Sequence, residues 1–423
     1  MAEMNDAYYL RHVTDLAQKR PVVAHQAIYS RTGMKLVDVG TRLTEALFDK
    51  LVVHKILPPI DESLGIEDEV SNLSLRRDLE AMLLEIPSLG GPSATESERE
   101  YLLKVFDQMP LAKPLAFKLT VMREQRPDIF QHSLQVALVA VSLAATAGFK
   151  TKDLTPVAAA ALFHDIGLLH IDPDALRGDA QLDDERLRAL DTHPIVAHLI
   201  LRTIPEWNLL VASAVLEHHE RLDGSGYPRQ LSGVQLSSLG QLLAVAELGA
   251  AILLGKGGAT KGHLSVALRF NEGKLNSGYA RTLLEFLWNR ELNDQGASPG
   301  TISAICSSFE KVSAAISELR DIERQLPAGW QTPPLLESVQ GRLDQLTRNF
   351  ARTGIDLSQI TKILQDPKID SESVTELHWI ATEAQWQVRA ISREIRRKLR
   401  GLPLDNEAVR LTVFGWLASI ERG

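Results

Sequence analysis

Leu216-Glu-His-His-Glu-Arg-Leu-Asp-Gly-Ser-Gly-Tyr-Pro228 joins two adjacent imidazoles, His218 and His219, to a glycine-rich turn. The apolar run before it, Leu209-Leu-Val-Ala-Ser-Ala-Val-Leu216, reads as a buried helix. Neighbouring residues on a helix point about 100° apart, so the two rings can approach one centre from different sides. Gly224, Gly226 and Pro228 then impose a tight loop that brings backbone close to whatever the histidines hold. A pair of histidines alone decides little, and the segments around it carry the rest of the reading.

Upstream, the amphipathic to apolar run Ile129–Ala145 puts His132 on one helical face with Val136 and Val139. Ala158-Ala-Ala-Ala-Leu-Phe-His-Asp-Ile-Gly167 sets His164 and Asp165 at the end of a small-residue helix, where an unpaired charge costs several kcal/mol and a metal would compensate it. His193 stands before Pro194, which reads as a helix N-terminus, and Glu247 lies in the apolar stretch Ala244-Val-Ala-Glu-Leu248. Each has an ordinary explanation singly. Together, all on apolar helical segments, imidazoles and carboxylates make a ligand set for Fe, Mn or Zn, and more than four of them imply two ions. Two such ions a few Å apart are the usual arrangement for in-line phosphodiester hydrolysis.

The run from His132 through His164-Asp-Ile-Gly, His193-Pro and His218-His-Glu-Arg-Leu-Asp-Gly-Ser-Gly-Tyr-Pro228 to Glu247 resembles the HD-GYP domain, a helical subset of the HD metal-dependent phosphohydrolases. The resemblance covers roughly residues 100–290. It implies a mainly α fold: a helical HD-GYP core, a small N-terminal α/β accessory domain and a C-terminal helical bundle. It also implies hydrolysis of cyclic di-GMP to linear pGpG or GMP with two divalent ions, Fe or Mn, and room for a third. Carried over by motif, the metal ligands would be His132, His164, Asp165, His193, His218, His219 and Glu247, with Asp165 bridging and His164–Asp165 the catalytic pair. Gly226, Tyr227 and Pro228 would lie beside the substrate. Asp128, one helical turn before His132, is the candidate for a third ion.

Three departures matter. Leu168 follows His-Asp-Ile-Gly where the family has a lysine, Glu247 stands where it has aspartate, and Gly255-Lys-Gly-Gly-Ala-Thr-Lys261 replaces an arginine- and proline-containing stretch. A cation missing beside developing negative charge can cost a few kcal/mol of transition-state stabilisation. Lys256, Lys261 and His170 are the candidate replacements. The alternative reading is a catalytically degenerate HD-GYP module that binds metal or nucleotide and acts through protein contacts.

The 423 residues suit three segments: 1–90, a small accessory α+β domain with a hairpin broken at Arg31-Thr-Gly33; 96–292, the metal-binding domain; and 298–423, a helical domain. Ser88–Thr95 is the expected linker. Forty-six basic against 54 acidic residues argue against nucleic acid or an anionic membrane as partner. Cys306 is the only cysteine, so no thiolate metal site or disulfide framework exists and a cytoplasmic location fits. The start carries no signal-peptide pattern, and the apolar run Leu242–Leu254 is too short to span a bilayer. In the last segment Ile302, Ile305, Phe309, Val312, Ile316 and Leu319 recur at three and four, Leu335–Phe350 and Ile355–Leu364 read as further helices, and Ser373-Val-Thr-Glu376 reads as a capping box opening a long one. Pro327 and Pro333–Pro334 are the expected breaks. Such regular seams suggest a homodimer or a protein partner through these helices. The basic cluster Arg389 to Arg400 reads as a solvated helix C-terminus.

Overall fold

The computed structural model describes residues 7–85, 95–176, 184–253 apart from 208, 261–288, 302–325, 334–355, 359–400 apart from 367, and positions 415 and 417. Most of the expected linker, Lys256, Pro327 and Pro333 lie outside the described residues. The chain divides into two compact units. One comprises Met1–Ala180, Arg188–Leu254 and Leu275–Leu292; the other comprises Gln181–Leu187, Gly255–Lys274 and Asn293–Gly423. The three-segment division read from the sequence concerns which pieces fold alone and stands as a proposal; the compact units cut across it, because residues 255–274 group with the C-terminal helices.

The first unit opens with α1 (Ala7–Lys19), whose Tyr9, Leu10, Val13 and Leu16 are buried at helical spacing. The β-prone reading of this region passes over it. β1 (Val22–Ala24), β2 (Ile28–Ser30), β3 (Lys35–Val37), α2 (Glu45–Val52), β4 (Ile56–Leu57), α3 (Ile60–Ser63) and β5 (Leu64–Ile66) complete the small α/β part. β1 pairs antiparallel with β5, and β3, β2 and β4 form a second antiparallel sheet. The expected hairpin is the β2–β3 turn, where Gly33 at φ +84° adopts the left-handed conformation that glycine tolerates best.

The helical part follows as α4 (Asn72–Glu85), α5 (Glu96–Asp107), α6 (Lys113–Gln125), α7 (Pro127–Thr146), α8 (Thr151–Phe163), α9 (Asp184–Leu201), α10 (Leu209–Glu217) and α11 (Ser238–Leu253). α12 (Lys261–Phe270) groups with the second unit and α13 (Ser277–Trp288) with the first. α7 is the central rod. By length and composition it could cross a bilayer, but 72% of its apolar window is buried, against α8 and α11. Phe106, Phe117, Phe130 and Phe163 are among the fully buried rings of this unit, each stabilising the fold by about 1.5–3 kcal/mol.

The second unit contains α14 (Ile302–Gln325), α15 (Pro334–Thr353), α16 (Ile360–Leu364) and α17 (Ser371–Leu399). Ile305, Phe309, Val312 and Ile316 pack with Leu343, Leu346, Phe350, Ile380, Ala384 and Ile391 in one core, so the expected seam is filled by the unit's own helices. The capping box is replaced by Asp370, whose side chain accepts from the Ser373 N–H at 2.7 Å and caps the helix three residues earlier. Arg396 and Lys398 in the basic cluster are engaged, with Asp184 at 3.3 Å and Glu394 at 2.7 Å.

A polar knot joins the turn after α12 to α17. Asn271 Nδ2 donates to Glu383 Oε1 at 3.2 Å, Gln387 Nε2 donates to the same oxygen at 2.9 Å, and Lys274 Nζ donates to Gln387 Oε1. Burial pushes the Glu383 carboxyl up from its ordinary 4.5 to about 7, over the opposing effect of these donors and Lys274. Between those values the folded chain keeps a proton that the unfolded chain has lost, so stability falls as pH rises through the window and levels off above it. Amide protection of α17 is expected to drop by about 1–3 kcal/mol from pH 5 to pH 8, and Glu383→Gln should flatten that slope; hydrogen exchange across the range measures both.

Candidate metal centre

The imidazoles are aimed by their own helices. His164 follows the last residue of α8, and its Nδ1–H donates to the Ala161 carbonyl at 2.7 Å. His218 follows α10 and donates in the same way to Val215 at 2.6 Å. Both acceptors belong to a last helical turn, whose carbonyls have no helical N–H to take. His193 lies inside α9, not at its N-terminus as its proline suggested. Pro194 has no N–H, so the carbonyl four residues back, that of Leu190, loses its helical donor; His193 Nδ1–H takes that carbonyl at 2.6 Å. Carbonyls only accept, which fixes the Nδ1–H tautomer in all three rings and leaves each Nε2 lone pair free to point inward.

These lone pairs converge. Asp165, His193, His218 and His219 offer donor atoms within 4.8 Å of one another, and so do His132, His164 and Asp165. Asp165 belongs to both groups through different oxygens: Oδ2 lies 3.3 Å from His164 Nε2, whereas Oδ1 lies 3.2 Å from His193 Nε2 and 3.9 Å from His218 Nε2. Glu247 lies beside the second group, with Oε1 2.9 Å from His132 Nε2 and Oε2 3.2 Å from His164 Nε2. His164 Nε2 and Glu247 Oε2 are both buried and make no hydrogen bond. Lone pairs of a neutral imidazole and two carboxylates facing one point repel, and a proton or a cation must lie between them. The donor set therefore fits a metal.

The electrostatics agree. Burial pulls His132 and His164 down, but Glu247 beside both, and Asp165 beside His164, outweigh it and hold the rings above the usual range, His164 well above. Against burial, Asp165 is held well below its usual range by His164 and His193, and Glu247 by His132 and His164. His218 is lowered to about 3 by burial and by His164 and His193, and His219 is also well below its ordinary value. His218 and His219 are thus held toward the neutral, metal-ligating form.

The glycine-rich loop closes over one side. Tyr227 stacks on His219, with ring centroids 4.6 Å apart, and lies 6.4 Å from His193. A Cβ on Gly226 would sit 2.4 Å from Glu220 Cα and 2.5 Å from the His219 carbonyl oxygen, so only glycine fits. Gly167 is similarly constrained, 2.1 Å from the His193 carbonyl oxygen in the same test. The structure brings together all seven residues expected as ligands, with Tyr227 beside them. Asp128 is elsewhere: its carboxylate is exposed and held at both oxygens by Arg126, at 3.0 and 2.8 Å. His170 stacks on Tyr9, centroids 4.8 Å apart, with its Nε2 3.4 Å from Lys118 Nζ. Lys261 belongs to the second unit, and Leu168 is 9% exposed.

Residues 117–270, which hold all seven, match the HD domain family. This segment carries the HD domain. Over 119 residues the chain is 31% identical to the 3'3'-cGAMP-specific phosphodiesterase 1 of Vibrio cholerae, covering 28% of this chain and 27% of that protein. Over 125 residues it is 29% identical to the cyclic di-GMP phosphodiesterase PdeB of Borreliella burgdorferi, covering 30% of this chain and 33% of that one. Among solved structures, Bd1817, a HDG"Y"P protein from Bdellovibrio bacteriovorus, aligns over 64% of this chain and 94% of its own at 15% identity and a TM-score of 0.37. The chain thus spans 27% and 33% of the length of these two curated relatives.

Two HD-domain carboxylates had no role in the sequence reading. Glu220 is fully buried and accepts from the N–H groups of Arg229 at 2.6 Å and Leu231 at 3.0 Å; Glu217 reaches Ser237. The signal for them was acidic residues flanking a His-His pair at a helix end, which the ligand reading absorbed. Mn(II) uptake by this HD domain is expected to release protons, and its affinity to fall as pH drops through the raised titrations of His132 and His164. Calorimetry in buffers of different ionisation enthalpy counts those protons. Asp165→Ala, which strips both groups at once, should weaken uptake by more than the roughly 10–100-fold that an outer-shell loss costs.

Proposed function

We propose that this HD domain is a metal-dependent phosphodiesterase of 3',3'-cyclic dinucleotides, with cyclic di-GMP opened to linear pGpG or GMP as the reference reaction. The observation that carries the reading is the pair of donor groups sharing Asp165, with every orienting Nδ1 bond turned away from the shared point. The names of the relatives supply the substrate class, and they divide between cyclic di-GMP and cGAMP.

His132, His164, Asp165 and Glu247 would hold one ion and Asp165, His193, His218 and His219 the other. When bound, the ions polarise water and a phosphoryl oxygen and offset the charge that develops in line. The protein's part is orientation: neutral imidazoles fixed by carbonyls, a bridging carboxylate, and Tyr227 as a wall that confines the dinucleotide beside His219. An imidazole- and carboxylate-rich set without thiolate suits Fe(II) or Mn(II). The lone Cys306 keeps a cytoplasmic setting in the proposal, and contact with a second copy or another protein belongs to the C-terminal helices.

Leu168 supports a second reading, a degenerate module that retains metal or nucleotide without turnover, because an apolar side chain stands where a cation would meet the phosphate. Protein purified anaerobically and supplied with Fe(II) or Mn(II) is expected to linearise cyclic di-GMP, 3',3'-cGAMP or both, with the activity lost in Asp165→Ala. Stoichiometric metal without product would favour the degenerate module. Leu168→Lys is expected to raise turnover by about 10-fold or more if a missing cation limits the rate, since one electrostatic donor is worth a few kcal/mol.

A further inference from the structure

Glu217 immediately precedes His218 and is only 4% exposed, yet it joins neither donor group. Its oxygens are used elsewhere. Oε2 accepts from the Ser237 N–H at 2.8 Å and from the Ser237 hydroxyl at 2.6 Å, and Oε1 accepts from Arg229 Nη2 at 3.3 Å. Ser237 is the residue before α11, so this carboxylate also faces a helix N-terminus, where the backbone dipole favours negative charge. The fit is close: a Cβ on Gly240 would lie 2.6 Å from Glu217 Oε2. Three residues on, Glu220 takes the N–H groups of Arg229 and Leu231. The stretch that carries Gly226, Tyr227 and Pro228 is therefore tied at its middle and its far end by two carboxylates that flank the histidine pair.

We infer that Glu217, acting with Glu220, is a positioning residue that holds the Gly-Tyr-Pro loop in one conformation over the metal centre before substrate arrives. A loop already ordered spares the binding step its conformational cost, so the effect falls on substrate affinity. Three of the metal-holding rings do not depend on it, because His164, His193 and His218 are each oriented by a carbonyl of their own helix. For its kinetic consequence the inference rests on the phosphodiesterase reading; for its structural consequence it does not.

The test compares the full chain with Glu217→Ala, Glu217→Gln and Ser237→Ala by three readouts: hydrogen exchange of the amides from 221 to 237, bound Mn(II) per chain, and kcat and KM for cyclic di-GMP. Losing hydrogen bonds to a buried charged acceptor should speed loop exchange and raise KM by about 10–100-fold in Glu217→Ala. In the same variant kcat should change by less than about 3-fold, as for a lost interaction made equally in ground and transition states, and metal content should hold. Glu217→Gln keeps one oxygen for Ser237 but loses the charge facing Arg229, and should fall between. Ser237→Ala removes only the hydroxyl donor and should show the same pattern at smaller size, which keeps the question open to test should Glu217→Ala fail to fold. Loop exchange and KM at native values in Glu217→Ala would overturn the inference, and so would loss of metal and kcat at constant KM. Exchange is read without substrate, so a native chain that turns over no cyclic dinucleotide would sink the enzymatic reading and leave the loop result standing.

Discussion

One hydrogen bond, repeated three times, sets the chemistry of this chain: imidazole Nδ1–H to the carbonyl three residues back. It needs a carbonyl that no backbone N–H claims, and a helix supplies one only at its end or at a proline. His164 and His218 use the ends of α8 and α10, and His193 uses the gap that Pro194 opens in α9. Each bond satisfies a carbonyl inside the core and, in the same stroke, turns Nε2 inward. The cost of a buried polar group and the aim of a metal donor are settled together, which is why these histidines tolerate burial in segments of alanine, valine and leucine.

Convergence of lone pairs then makes the centre electrostatically demanding. Asp165 is within 3.3 Å of histidines from two groups, and Glu247 bridges His132 and His164. The two carboxylates and the histidines beside them are displaced in opposite directions, the carboxylates down and the rings up. Protons and metal therefore compete for the same space, and the buried polarity that costs stability in the bare chain becomes affinity when an ion enters.

Much of this was legible in the sequence because the signals were local. Histidines on apolar helical runs, a His-Asp step before glycine and a Gly-Ser-Gly-Tyr-Pro turn each announce themselves within a few residues, and the apolar periodicity of 302–319 identified α14. What stayed hidden depended on partners far along the chain. Pro194 reads as a helix start because proline favours the first turn, and only Leu190's carbonyl beside the His193 ring shows why it sits mid-helix. Glu217 and Glu220 look like solvated charges until Ser237 and Arg229 fold back onto them. Asp128 shares a helical repeat with His132, but Arg126, two residues away, captures it first. The α17 start was misplaced because Asp370 lies one residue before Ser371 and caps more strongly than the Ser-x-x-Glu pattern beyond it.

The departure at Leu168 can be weighed by charge. In the proposed state seven residues surround the ions, yet only Asp165 and Glu247 carry charge; the five imidazoles are neutral donors. Two carboxylates against two divalent ions would leave a net positive centre among buried side chains, where each uncompensated charge acts far more strongly than at the surface. A phosphodiester brings a single negative charge. The centre can therefore attract and stabilise it without a further cation from position 168, and replacing aspartate by Glu247 alters reach but not charge. By this reasoning Leu168 bears more on how the phosphate is oriented than on whether it binds. In that proposed state the loop tied by Glu217 and Glu220 is the protein constraint on where a dinucleotide would lie.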